Sequence, residues 1–319
     1  MSHKRIIGRY TGEEKGPLLI VFGQMHGNEP AGTKAIDLML KMLEVEPITN
    51  PEFVYRGRML GLIGNRKAAK KGIRFIEKDL NRCWTQKNID RILGKNKNEL
   101  KPEEQEIKEL INIIKKEVEE YNPDKVYVLD LHTTSSNGGI FTIVPDLPES
   151  IRIAMELNAP VVLGMLEGVK GTSTEYFDEK ALGVPTVSLT FESGNHHDIL
   201  SVNRAIAAMT NLMGIIGHID PRHVENRHNV LLNEYSKNLP KLSKLVYKHS
   251  IGSTDGFIMK KGYKNFQPII KGELLASDSK GKILSPANGR ILMPLYQTQG
   301  EDGFFIIKEI DKTLSQNER

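Results

Sequence analysis

Residues 18–30 read LLIVFGQMHGNEP, and this stretch decides the fold. Leu18–Phe22 is an unbroken apolar run, the pattern of a strand buried on both faces. The chain then turns through Gly23 to Gly27. Pro30 stands where a first helical turn tolerates a residue without an N–H, and AGTKAIDLMLKMLE continues with helical spacing. A strand, a tight turn and a helix make up the repeating unit of α/β sheets, whose ligands bind outside the carboxyl ends of the strands. His26 and Glu29 fall at that place. Three apart in such a turn, an imidazole and a carboxylate point to one side and can share a cation. Taken alone, the pair equally describes a surface histidine beside a helix N-terminal glutamate.

The same alternation runs outward to about residue 215. Residues 53–63, 126–131, 140–144, 160–165 and 186–191 read as strands. Pro102 opens a helix in which Ile107, Leu110, Ile111 and Ile114 share one face, and 199–217 reads as an apolar helix. A largely buried sheet with helices on both faces is expected. Past residue 220 the texture changes. PRHVENRHN is polar and irregular, and 243–319 holds short β-rich runs broken by glycines, a pattern for a compact antiparallel unit. The sequence therefore divides into a domain over 1–220 and a smaller β-rich domain over 221–319.

Composition narrows the function. With 39% hydrophobic and 26% charged residues, the chain matches ordinary globular proteins and not fibrous or disordered ones. No apolar run approaches the roughly 18–20 residues of a membrane span, and MSHKRIIGRYTGEEKGP lacks a signal-peptide core, so a cytoplasmic location is expected. The net charge of +4 comes from basic residues scattered among acids, which argues against nucleic acid as a partner. The single Cys83 excludes an intrachain disulfide and a thiolate metal cluster.

Three further stretches carry chemistry. VYVLDLHTT over 126–134 ends a buried strand in His132, and Asp130, two residues earlier, lies on the same strand face. That aspartate could orient a ligand imidazole or simply satisfy backbone donors, and both readings stay open. TVSLTFESG over 186–194 places Glu192 after an apolar run, where a carboxylate is costly unless it is paired or working. A general base beside a metal-bound water would be such work. GIRFIEKDLNRCW over 72–84 has poor periodicity and reads as a long loop. Its Arg74, Asn81 and Arg82 suit recognition of a carboxylate. His26, Glu29 and His132 together give three ligands, the count of a catalytic zinc site with one position open; a structural site would want four. Cys83 and Trp84 read as packing residues, and His196 and His197 as helix-start or surface residues, with a supporting place behind the site open to either.

In order and in phrase these segments resemble the aspartoacylase and succinylglutamate desuccinylase family, related to the zinc carboxypeptidases. The match lies in HGNE at 26–29, Asn65 with RFIEKDLNR at 74–82, DLHTTSSNGG at 130–139 and FESG at 191–194. The resemblance implies a zinc-carboxypeptidase-like mixed α/β sheet flanked by helices, with the β-rich C-terminal domain capping the site. It implies one zinc ion per chain on His26, Glu29 and His132, with Glu192 as general base. Arg74 would polarise the scissile carbonyl, Asn81 and Arg82 would hold the substrate carboxylate, and Tyr296 in MPLYQTQGEDGFF would reach the substrate. One position departs from the pattern. Aspartoacylases carry an arginine about ten residues before the catalytic glutamate, and here Leu182 stands there, with Lys180 a weak substitute. N-acetylaspartate is therefore a poor expectation.

The function these features imply is zinc-dependent hydrolysis of the amide bond of a small N-acyl amino acid. A metallocarboxypeptidase acting on peptides and a non-catalytic metal-binding protein are the alternatives. Whether copies associate as a homo-oligomer is left open.

Overall fold

A computed structural model of the chain describes residues 4–225 and 227–310. Fourteen strands are present among them. The first seven are β1 (Ile6–Thr11), β2 (Glu14–Gly23), β3 (Arg56–Ile63), β4 (Val126–Thr134), β5 (Phe141–Ile143), β6 (Val161–Leu163) and β7 (Thr186–Asn195). They are followed by β8 (Leu242–Ser250), β9 (Ile258–Met259), β10 (Pro268–Ile269), β11 (Leu274–Asp278), β12 (Gly281–Leu284), β13 (Gly289–Leu292) and β14 (Asp302–Glu309).

Eleven of these form one mixed sheet in the order β1-β3-β2-β4-β7-β5-β6-β8-β14-β13-β10, and β12-β11-β9 form a small second sheet. The centre is parallel: β3, β2, β4 and β7 run together, with Phe22 beside Asp130 and His132 beside Glu192. These strands are apolar on both faces because both faces are covered. One face packs the helices Pro30–Thr49, Pro148–Glu156 and Leu200–Ile215 around Ile36, Leu129, Leu189 and Met209. The other packs the helices Gln86–Leu93 and Pro102–Tyr121 around Phe22, Trp84, Ile107 and Ile111. Cys83 and Trp84 are buried in that second layer, as packing residues should be. Among the described residues no helix is long and apolar enough to cross a membrane.

The C-terminal strands continue the main sheet. β6 pairs in parallel with β8, and β14, β13 and β10 follow with antiparallel pairings. Several elements differ from the expected outline, among them the short helices Arg66–Lys71, Gln86–Leu93 and Pro148–Glu156. Residues 6–11 form an edge strand against β3, and 227–236 form a helix within a region that reads as irregular. That helix buries only Leu232, so its sequence carries no apolar stripe to announce it.

Candidate metal centre and active site

The three parallel strands β2, β4 and β7 end side by side, and each delivers part of the site. After β2 the chain turns through Gln24, which holds a left-handed φ of 52°. The Gln24 side chain donates to the Gly27 carbonyl at 2.8 Å, tightening the loop that carries His26. Gly27 is required there: a Cβ would stand 2.2 Å from the Ala68 carbonyl carbon. His26 and Glu29 thus leave one compact turn, with Glu29 immediately before the helix from Pro30.

Glu29 is the hub. Its Oε1 lies 2.9 Å from His26 Nδ1 and its Oε2 lies 3.0 Å from His132 Nδ1, while the Thr133 N–H donates to Oε2 at 3.1 Å. The outer nitrogens meet aspartates: His26 Nε2 is 3.1 Å from Asp79 Oδ1, and His132 Nε2 is 3.1 Å from Asp130 Oδ2. His26, Glu29, His132 and Glu192 are each no more than 4% exposed. Among the described residues, His26, Glu29 and His132 offer ligand atoms that all lie within 4.8 Å of one another.

The donor set fits a metal cation. An Nε2–H directed at an aspartate leaves each Nδ1 with a lone pair, and that lone pair faces a carboxylate oxygen. Either added protons or a cation must lie between them. Aspartates behind ligand imidazoles are the usual way such rings are oriented. The electrostatics agree. Burial alone would push His132 down, but Asp130 and Glu29 outweigh it and hold the imidazole well above the usual histidine range. Burial likewise acts to raise Glu29 and Asp79, yet Glu29 is held well below the carboxylate range by His26 and His132, and Asp79 by Arg74 and His26. Asp130 also receives the Ser173 hydroxyl on Oδ2, while its Oδ1 has no partner.

Glu192 stands beside His132 on β7. Its Oε2 is buried without a hydrogen-bond partner. Burial pushes the group up to about 8; His132 pulls it down and Glu29 pushes it further up. The turn behind it is anchored. Ser193 Oγ donates to the His132 carbonyl at 3.0 Å, and the buried Arg204 reaches the Ser193 carbonyl at 3.3 Å and Asp198 at 2.8 Å. Gly194, at φ 113°, passes so close that a Cβ would lie 2.5 Å from Arg204 Nη1.

The long loop is ordered by one buried acid. Glu103 accepts from Asn65 Nδ2 at 3.2 Å, from the Ile76 N–H at 2.7 Å and from the Glu77 N–H at 3.2 Å. Arg74 donates from Nε and Nη2 to Asp79 at 3.1 and 2.9 Å, and its Nη1 lies 3.5 Å from Glu29. Asn81 Nδ2 lies 3.5 Å from His132 Nε2, and its Oδ1 accepts from the Ser173 N–H. Arg82 pairs with Asp302 at 2.7 Å. Two adjoining cavities of about 50 and 60 Å³ share Arg74, Arg82 and Glu192 in their walls.

Seven of the eight residues singled out in the sequence therefore converge. Tyr296 stands apart. Its hydroxyl lies 2.9 Å from the Lys260 carbonyl and 3.2 Å from that of Tyr263, the residue is 37% exposed, and it lines neither cavity. Its neighbour Gln297 does line one, and accepts from Asn28 at 2.9 Å. Leu182 packs at the margin of the core around Trp84, away from both cavities. His197 is exposed as expected, whereas His196 turns inward to Thr133 Oγ1 at 2.7 Å. Asp79, Gln297 and Asp302 escaped sequence reasoning. Only Asp79 had a local signal, since it sits within the quoted loop between Arg74 and Asn81.

Residues 15–215 match the family model for the succinylglutamate desuccinylase/aspartoacylase catalytic domain. A probable aspartoacylase from Nostoc sp. is 32% identical over 124 residues, which are 39% of this chain and 37% of that protein. A succinylglutamate desuccinylase from Pseudomonas putida is 39% identical over 72 residues, 23% of this chain and 20% of the other. The aligned part thus spans well under half of these relatives' length. A crystal structure of succinylglutamate desuccinylase/aspartoacylase from Rhodobacter sphaeroides superposes with a TM-score of 0.62 at 16% identity, covering 94% of this chain and 87% of that one. The expected fold, a mixed α/β sheet flanked by helices with a β-rich C-terminal region, is the one observed. The strand-end site and the matched span lead to one assignment: the chain belongs to the succinylglutamate desuccinylase/aspartoacylase family.

Proposed function

We propose that this chain is a zinc-dependent deacylase that hydrolyses the amide bond of an N-acyl amino acid to a carboxylate and a free amino acid. The observation that supports it most is the facing of His26 Nδ1 and His132 Nδ1 onto one carboxylate, with an unpartnered Glu192 oxygen beside them. His26, Glu29 and His132 would hold one zinc ion per chain, which supplies Lewis acidity and a bound water of lowered pKa.

The chain's own residues do the rest. Glu192, raised by burial and with Oε2 unpartnered beside His132, is placed to exchange a proton with a water molecule. It takes the proton of the attacking water and returns it to the departing amine nitrogen. Arg74 is held by Asp79 through Nε and Nη2, and its Nη1, 3.5 Å from Glu29, would turn to the developing oxyanion. Asn81 and Arg82 hold the substrate carboxylate. For Tyr296 to take part, its hydroxyl must leave the carbonyls of Lys260 and Tyr263. We read residues 1–220 as the hydrolase unit and 221–319 as its cap; Gln297 and Asp302 bring the cap to the cavity wall.

A zinc-loaded screen over acetyl, succinyl and formyl amino acids, read as released amino acid, tests the reading. Glu192→Gln is expected to keep metal content and to lower kcat by about 10²–10⁴-fold. A Gln variant as active as the parent would remove Glu192 from this role.

A further inference from the structure

One wall of the inner cavity is apolar, built from Ile143, Met165, Leu166, Val169, Met293 and Phe305. Two arginines face the same space, Arg74 and Arg82, and both are matched by acids of the chain itself. Arg74 is held by Asp79. Arg82 donates from Nη1 to the Asn81 carbonyl at 2.8 Å and from Nη2 to Asp302 at 2.7 Å. Asp302 opens β14, so the sheet holds it in place, and its side chain is 8% exposed. Its second oxygen lies 3.4 Å from Lys248.

This arrangement sets a charge limit. Arg82 can still receive one substrate carboxylate beside Asp302, because Lys248 shares the aspartate. A second carboxylate would enter a small space with no unmatched arginine in its wall, against an apolar surface and beside Glu192. At about 60 Å³ the cavity has room for roughly four to six water-sized groups, which suits a short chain.

We propose that the site selects N-acyl amino acids with a single carboxylate and a short uncharged apolar group, and that Asp302 is the specificity residue that excludes a second carboxylate. The inference rests on the deacylase reading of the same site. The test compares kcat/KM for two matched pairs with the zinc-loaded full chain: N-acetylleucine against N-acetylaspartate, and N-butyrylalanine against N-succinylalanine. The parent protein is expected to favour the apolar member of at least one pair about a hundredfold. Asp302→Asn should cut that preference at least tenfold through a lower KM for the dicarboxylate, while Asp302→Glu should retain it. Leu166→Arg, which places a fork in the apolar wall, should also raise dicarboxylate turnover at least tenfold, and it keeps the test alive if Asp302→Asn does not fold. A parent that prefers the dicarboxylates, or preferences unmoved by either charge change, overturns the inference alone. No turnover of any of the four substrates by metal-loaded protein overturns the deacylase reading, and the inference with it.

Discussion

Two regions of the molecule that bury carboxylates handle them differently. On the flank of the helix Pro102–Tyr121, Glu106 and Glu109 meet Arg5 and Arg66, and Glu117 lies between Arg9 and Arg58. Glu106, Glu109 and Glu117 each have an arginine, Glu103 at the start of the same helix is satisfied by Asn65 and two backbone N–H groups, and none of the oxygens of Glu106 or Glu117 is a buried atom without a partner. At the strand ends the balance fails. Glu29, Asp79, Asp130 and Glu192 are all buried, Arg74 is the arginine among them, and oxygens of Asp130 and Glu192 have no partner. Burying an uncompensated charge is expensive, so an excess of acid inside a fold points to something positive that arrives from outside. Matched charge holds the chain together, whereas unmatched charge awaits a ligand.

The contrast breaks most visibly at Glu29. Glu29→Gln removes the anion that both imidazoles face, and metal analysis of the purified variant is expected to fall from about one ion per chain to a trace. Turnover should fall by on the order of a thousandfold or more. A variant that retains stoichiometric metal would show that the excess acid serves another purpose. On the matched side, Glu106→Gln leaves Arg5 with Glu109 and the carbonyls of Ile63 and Gly64, and is expected to lower stability by about 1–3 kcal/mol in denaturant unfolding, with metal content unchanged. Metal loss from that variant, in its folded form, would erase the distinction between the two regions. Smaller again is the effect of the aspartates behind the rings. Asp79→Asn and Asp130→Asn should each weaken metal affinity by about 10–100-fold, measured by competition with a chromogenic chelator.

How far the sequence foretold this depends on where each signal lies. A strand run followed at once by a polar residue is local, so His26, Glu29, His132 and Glu192 were legible as strand-end groups, and the central strands and the helices from Pro30, Pro102 and 199 followed from period, whereas the short helices Arg66–Lys71, Gln86–Leu93 and Pro148–Glu156 did not. Partners across the chain were not. Nothing near Arg82 in sequence announces Asp302, because their meeting depends on β6 pairing with β8 and β8 with β14, which carries residue 302 to the cavity wall. Apolar period fixes which residues face inward, not which strand lies alongside. Glu103 illustrates the same gap: it lies on the face of an evidently amphipathic helix, yet its task is to order a loop some 27 residues away. The helix Arg227–Ser236 was missed for the opposite reason, since one buried leucine makes no period.

The finest test of the contrast compares histidines. His26 and His132 face carboxylates, whereas His218 is buried with neutral partners, the Tyr55 hydroxyl at Nδ1 and the Pro17 carbonyl 3.1 Å from Nε2. Burial pushes His218 down to about 4, with the Pro17 carbonyl opposing. A lowered histidine binds fewer protons when folded than when unfolded. Stability therefore rises with pH between about 4 and the unfolded value near 6.5, is complete above it, and is lost as the pH falls through that window. Between pH 7 and 5.5 this one residue should cost about 1 kcal/mol. Unfolding of metal-free protein at both pH values, for the parent and for His218→Gln, isolates the term, because all other titrating groups are common to the two. An unchanged difference between the pH values would mean that His218 is not kept neutral by its burial. A smaller loss in the variant is what the structure requires: of the buried histidines, the one without an acid beside it resists protonation, and the two that meet carboxylates are the ones positioned for a cation.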